Sequence, residues 1–324
     1  MSYYPKIHPA YQPIVDGLVE TVAVKNIDLK SVDVDEIREI CDYVPENHGL
    51  QIPDVISDEH TITAAGYSVK LYTYRPLGSE DKMIPAVIYL HGGGWLFFTH
   101  KNYDRAMKDI TVKANVATVF VEYVLSPTAK FPDPVTQCYE SILWIHENAA
   151  KLNLDADRLV LVGDSLGSNM ATSIPIMLNE NQLGNIVKGV VMLYPDIDPT
   201  NRDNHESYEL LGKGDFGFKA EDMLFNLPHT LPDFPTIPAD FRLSLTNATD
   251  DQLKGLPPFL IVTAETDMYR GPGEDFAQRL MNNGVDVAAV RLMGAVHGYL
   301  AYYVECAPYR RTIGFIASFV NDLV

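Results

Sequence analysis

Three cysteines in 324 residues, Cys41, Cys138 and Cys306, lie far apart and form no C-x-x-C pair. That excludes a disulfide framework and a cysteine-based zinc site, and a reducing, cytoplasmic setting is expected. Positive charge is scarce as well: 25 Lys and Arg face 43 Asp and Glu, a formal balance of −18. A surplus of this sign repels phosphate backbones and anionic lipid surfaces, and no basic run offsets it locally, so nucleic acid and stable membrane association are excluded as partners. Long apolar runs are missing too. No stretch reaches the roughly eighteen residues of a membrane helix, and the opening Met-Ser-Tyr-Tyr-Pro-Lys lacks the apolar centre of a secretion signal. No internal repeat or low-complexity tract is found.

What the chain does have is core-forming material. Apolar residues make up 47% and charged residues 21%, enough to bury a full interior in one large domain or two ordinary ones. Tyr11, Ile14, Val15, Leu18 and Val22 recur at helical spacing, as do Val34, Ile37, Ile40 and Cys41, so two amphipathic helices are expected before the main fold. From about His60 the texture is extended. Short apolar runs then alternate with helical stripes: 86–90, 116–121, 159–162, 187–193, 259–263 and 285–292. Runs of this length, rich in Val and Ile and separated by helices, predict a mostly parallel sheet buried on both faces. The fold class is α/β. The expected division is an N-terminal helical segment over 1–50 and a main domain over 51–324. Within the domain a Pro-, Gly- and acid-rich insertion at about 200–255 carries at most a short helix near Ala220–Phe225.

The strongest local motif is Gly163-Asp164-Ser165-Leu166-Gly167, placed after the apolar run 159–162 and before a helical stretch, Asn169–Leu178. A serine on a sharp strand-to-helix turn is held in strained backbone with its oxygen exposed, and the flanking glycines relieve the crowding. A plain helix cap would also place a serine there. A second motif argues for chemistry. His91-Gly92-Gly93-Gly94-Trp95 follows the run 86–90, and consecutive glycines let backbone N–H groups reach a developing oxyanion, with the N–H of Leu166 as a further donor. A phosphate loop would need a Lys-Ser/Thr pair where this chain has Leu96-Phe97.

A general base must follow in the chain. Of the histidines after Ser165, His205 and His229 fall in the insertion and His297 lies in a turn after the last expected strand, which makes His297 the candidate. Two acids follow the preceding strand, Glu265 and Asp267. Asp267 is preferred because Glu265 sits closer to the strand end, where a structural hydrogen bond is its expected role. His91 is expected to brace the glycine loop, and Gly212–Gly217 lacks the strand context of a dinucleotide site and is expected to be a loop of the insertion. No residues stand at metal-ligand spacing.

Together the chain resembles the hormone-sensitive lipase family of α/β-hydrolases. The likeness spans about Lys82–Val324 and rests on His91-Gly-Gly-Gly-Trp95, Tyr123-Val-Leu-Ser-Pro127, Gly163-Asp-Ser-Leu-Gly167, Tyr194-Pro-Asp-Ile-Asp198, Glu265-Thr-Asp267 and His297-Gly-Tyr299. It implies an α/β-hydrolase fold whose catalytic domain, 51–324, carries a helical cap built from the N-terminal segment 1–50 and the insertion at about 200–255, a catalytic triad of Ser165, Asp267 and His297, and an oxyanion hole from the N–H groups of Gly93, Gly94 and Leu166. It implies a serine carboxylesterase acting on small, short-acyl esters without a cofactor. The family has Ala-Gly-Gly where this chain has Leu166-Gly167-Ser168; with Trp95, Phe97 and Phe98 as candidate substrate-binding residues, a narrow pocket is expected. An amidase or formamidase on the same residues and a non-catalytic receptor of the same fold are the alternatives. The expected partner is a small-molecule ester, with homo-oligomerisation left open.

Overall fold

The computed structural model describes residues 4–24, 33–44, 49–202 and 205–324, with the side chains of 21–24, Val22 among them, outside the description. The expected segment 1–50 is therefore described only in part. Its two helices are present as α1 (Gln12–Val24) and α2 (Val34–Cys41). A hairpin follows, β1 (Ile56–Ala64) and β2 (Tyr67–Arg75), closed by Ala65 and Gly66, both at positive φ. Then come β3 (Ile84–Leu90), α3 (His100–Ala114), β4 (Ala117–Glu122), α4 (Asp133–Glu147), β5 (Leu154–Asp164), α5 (Leu166–Glu180) and β6 (Val187–Leu193). The insertion holds α6 (Glu206–Leu211), α7 (Leu227–Thr230) and α8 (Asp250–Leu253), and the chain ends with β7 (Phe259–Ala264), α9 (Arg270–Asn282), β8 (Val287–Leu292) and α10 (Ala307–Leu323).

Among the described residues the strands form one eight-stranded sheet in the order β1-β2-β4-β3-β5-β6-β7-β8. β1, β2 and β4 pair antiparallel, and the remainder from β4 through β3 to β8 is parallel. The alternation of side chains along a strand divides the core in two. On one face Ala86, Ile88 and Leu90 of β3 and Leu159 and Leu161 of β5 meet α4, α5 and α9 through Cys138, Ile174 and Leu280. On the other, Val87, Tyr89, Val160 and Val162 meet α3 and α10 through Met107, Ile110 and Ile316. Each face is covered by helices, which is why these strands read as continuous apolar runs.

This winding positions the site. The chain leaves β3 for β4 by way of α3 on one face, and leaves β5 for β6 by way of α5 on the other. A crevice opens between the carboxyl ends of β3 and β5, where ligands of such sheets bind. The glycine run follows β3 and Ser165 follows β5, so Gly92 and Ser165, 73 residues apart, arrive side by side.

Two expectations are corrected. The insertion carries three short helices and two 3₁₀ turns, Glu221–Leu224 and Leu245–Asn247, more regular structure than the single short helix expected near 220–225. Helices of four to six residues leave too few turns for a periodic stripe and are held by tertiary contacts instead, such as Tyr208 against Tyr269. The helix expected from Asn169 starts at Leu166, because the strained conformation is confined to Ser165 and helical backbone begins at once.

Candidate active site

Ser165 has φ 50° and ψ −124°, a left-handed conformation that a residue with a side chain rarely adopts. The turn is compressed: a methyl on Gly163 would lie 2.2 Å from the Gly167 carbonyl oxygen, and a methyl on Gly167 would lie 2.1 Å from that of Leu90. Only glycine fits at either place, and so the hydroxyl of Ser165 projects from the sheet edge. Its Oγ lies 2.8 Å from His297 Nε2, while His297 Nδ1 lies 2.8 Å from Asp267 Oδ2. The other Asp267 oxygen accepts the Tyr269 backbone N–H at 2.9 Å, which orients the carboxylate. Glu265 points elsewhere, its carboxylate accepting the Gly294 N–H at 2.7 Å and so holding the turn that leads into His297.

Burial of His297 works against its protonation, but Asp267 by charge and hydrogen bond, with Asp196 and Asp164 beyond it, outweighs that penalty and raises the pKa above the ordinary histidine value. Tyr194 and Tyr269 stand edge-on to the imidazole with ring centroids at 5.3 and 4.8 Å and limit the water around it. The arrangement can move a proton from a hydroxyl to an imidazole whose tautomer is set by a carboxylate.

Asp164 links the two motifs. It is fully enclosed and accepts hydrogen bonds from the Gly92 N–H at 2.9 Å and from the hydroxyls of Tyr103 at 2.9 Å and Tyr89 at 3.0 Å. Burial raises its pKa to about 6 against these donors. The Gly92 N–H is thereby engaged in holding the loop, and Gly93 and Gly94 line the cavity next to Ser165. Leu166 opens α5, where the first N–H groups of a helix have no acceptor within it. His91 braces the loop as expected: it is buried, stacks on Tyr123 with centroids 4.3 Å apart, and its Nδ1 lies 2.9 Å from the Gly92 carbonyl oxygen.

A cavity of about 570 Å³ opens above these groups. Phe97 and Phe98 are in its wall, with Leu18 of α1, Ile37 and Ile40 of α2, and Phe225 of the insertion. Arg38 ties α2 to the glycine loop by donating to the Leu96 carbonyl at 2.8 Å, and Asp42 accepts the Phe98 N–H at 2.6 Å. The 212–217 loop is part of the wall through Gly214 and Gly217.

Trp95 is not in that wall. At φ 61° the chain turns its indole into the core, where it stacks on Phe131 and its Nε1 lies 3.3 Å from the sulfur of Met170, so the expected substrate contact is corrected. The Leu166 side chain likewise packs in the core instead of narrowing the pocket, since the first turn of α5 faces the sheet. Sequence reasoning also passed over the buried pair Arg202–Asp196, bidentate at 2.9 and 2.7 Å beneath Tyr269 in the cavity wall. The Tyr194–Asp198 motif contained one partner, but nothing local marked the arginine. Among the described residues no group of three or more His, Cys, Asp or Glu could hold a metal ion, and no helix is long and apolar enough to cross a membrane.

The chain is similar to known proteins. A family described by the alpha/beta hydrolase fold matches residues 87–301. A fungal esterase from Rhizomucor miehei superposes with a TM-score of 0.91 at 38% identity, covering 99% of this chain and 98% of that one. An esterase of Gibberella moniliformis is 29% identical over 72% of this chain and 71% of its own length, and an ethyl acetate hydrolase of Pseudomonas putida is 29% identical over 76% of each.

Proposed function

Because the chain belongs to the hormone-sensitive lipase-like family of α/β hydrolases and is a carboxylesterase, we propose that it works through an acyl-enzyme on Ser165 and favours short acyl chains. The observation that carries the reading is the hydrogen-bonded line Ser165–His297–Asp267 at the floor of the cavity. As Ser165 Oγ attacks the ester carbonyl carbon, His297 Nε2 takes its proton and Asp267 stabilises the imidazolium. Negative charge gathers on the carbonyl oxygen and is met by the N–H groups of Gly93, Gly94 and Leu166. Collapse breaks the C–O bond and His297 returns the proton to the leaving alcohol. Water then repeats the sequence and frees the acid.

Phe97, stacked on Phe225 at 6.0 Å, and Phe98 support the short-acyl preference. A methylene adds about 0.8 kcal/mol only where there is apolar space to bury it, and forcing one into a packed wall costs about 1 kcal/mol or more. Across a p-nitrophenyl ester series kcat/KM is therefore expected to be highest from acetyl to butyryl and to fall beyond. A rise that continues to decanoyl would show an open acyl channel and end the narrow-pocket reading.

The direction of the His297 shift sets the pH dependence. The base must be neutral to accept the serine proton, and a raised pKa keeps it protonated to higher pH. The acid limb of kcat/KM, which reports the free enzyme, is expected to titrate above the ordinary histidine value of about 6.5. A limb below it would contradict the coupling to Asp267.

A further inference from the structure

The turn that follows the glycine run is gripped by α2 at two backbone points. Arg38 donates from Nε to the Leu96 carbonyl at 2.8 Å and from Nη2 to the Ser126 carbonyl at 2.5 Å, while Nη1 donates to Asp35 at 2.9 Å. Asp42, at the end of the helix, accepts the Phe98 N–H at 2.6 Å. A helix that only covered the cavity would need no more than its apolar face, and Ile37 already packs against Leu96 and Phe97. The polar grip falls instead on the backbone of the loop.

That grip is carried inward. The N–H groups of Leu96 and Phe97 both donate to the Gly93 carbonyl, at 2.9 and 3.1 Å. Among the described residues every cis peptide bond precedes a proline, so the Leu96–Phe97 and Gly93–Gly94 peptides are trans. In a trans peptide the C=O and the N–H share one plane and point opposite ways. The Leu96 carbonyl held by Arg38 and the Phe97 N–H that meets Gly93 are therefore one rigid unit, and the Gly93 carbonyl and the Gly94 N–H are the next. Two peptide planes in line join the guanidinium to the Gly94 N–H, and hydrogen bonds in such a chain polarise one another. Among the described residues nothing accepts the Gly94 N–H, and Gly94 lines the cavity next to Ser165.

From this we infer that Arg38, supported by Asp42, is a positioning residue that aims the Gly94 N–H at the developing oxyanion, so that α2 completes the oxyanion hole as well as walling the cavity. The inference rests on the acyl-enzyme reading above. The other holds on the loop act elsewhere. Asp164 engages the Gly92 N–H, and the Ser126 N–H donates to the Trp95 carbonyl at 2.9 Å; neither touches the Leu96–Phe97 peptide.

A matched pair of inhibitors reads the oxyanion hole apart from the pocket. Ser165 Oγ can bond to the carbonyl carbon of 1,1,1-trifluorohexan-2-one, the carbonyl electron pair moving to oxygen and the serine proton to His297, which leaves a charged oxygen in the hole. The alcohol 1,1,1-trifluorohexan-2-ol has the same size and cannot form that adduct. Arg38→Met is expected to raise the ketone Ki and to lower kcat for p-nitrophenyl butyrate by about tenfold each, part of the roughly 10²–10³ that outright loss of a donor costs, and to move the alcohol Ki by less than about twofold. Should the methionine variant fail to fold, Asp42→Ala frees the other end of the turn and is read on the same pair, with Asp42→Asn, which keeps an acceptor for the Phe98 N–H, expected to return toward wild type. Equal losses for ketone and alcohol overturn the inference, since they mark a helix that only walls the cavity, and an unchanged ketone Ki in the folded variant overturns it too. A wild-type protein that binds the ketone no more tightly than the alcohol would instead overturn the oxyanion hole itself, and the inference with it.

Discussion

Ser165→Ala is expected to lower kcat by about four to six orders of magnitude while the protein remains folded. The reaction needs an oxygen that can form the acyl bond, and its removal leaves only binding and oxyanion stabilisation, which is the loss seen when a triad nucleophile is deleted. The fold should tolerate the change. Ser165 is buried at the strained turn, but the strain lies in its backbone at φ 50°, and alanine bears the same Cβ there. What disappears is one hydrogen bond, Oγ to His297 Nε2 at 2.8 Å, worth about 1 kcal/mol in stability. The assay is steady-state hydrolysis of a short p-nitrophenyl ester, paired with circular dichroism and with mass spectrometry after treatment with an organophosphonate. Wild-type protein should gain one phosphonyl adduct and the variant none. Activity above about a tenth of wild type in the folded variant would remove Ser165 from the mechanism.

Replacing the two acids should separate chemistry from structure. Asp267→Asn is expected to lower kcat about 10⁴-fold, because the amide presents an N–H where His297 Nδ1 needs an acceptor, and the imidazole then turns the wrong tautomer toward Ser165. Asp267 Oδ2 lies 2.8 Å from that nitrogen, so the effect is direct. Glu265→Gln keeps a carbonyl oxygen for the Gly294 N–H, now accepted by the carboxylate at 2.7 Å. Its expected outcome is kcat within about tenfold of wild type and a stability loss of about 1–2 kcal/mol, the difference between a charged and a neutral acceptor. Urea denaturation and turnover measured on the same preparations distinguish the two. If the folded Glu265→Gln protein is the inactive one, the acids exchange roles.

How far each feature could be read depended on how locally it is encoded. The Gly163–Gly167 turn needs glycine at two positions for steric reasons internal to five residues and their contact with the neighbouring strand, so the nucleophile candidate stands out from the linear chain. The strands were legible for a similar reason: both faces of the sheet are covered, so nearly every residue of β3, β4 and β6 is apolar. Their edges were less so: β5 begins at Leu154, and the mostly polar residues 155–158 lie where the pairing with β3 shifts register between Leu154 and Leu159. Trp95 misled because an aromatic after a glycine run looks like pocket lining, whereas its positive φ turns the ring inward, and φ is not written in residue type. Leu166 misled because the helix phase that sends its side chain to the core starts at the elbow.

By itself, then, the sequence determined the α/β class, the serine turn, the glycine loop and the order of serine, acid and histidine, since each is a short-range consequence of apolar periodicity or of backbone crowding. Tertiary structure turned the preference for Asp267 over Glu265 into a contact with His297, and it alone decided that α1 and α2 form part of the cavity wall, that Arg202 is locked to Asp196, and that Asn226 stands at the glycine loop with its amide oxygen unpaired. Those facts join residues from separate elements across the carboxyl edge of the sheet, and the physical reason is distance: a hydrogen bond or a cavity wall is set by where the whole chain brings two groups, which no single stretch of it contains.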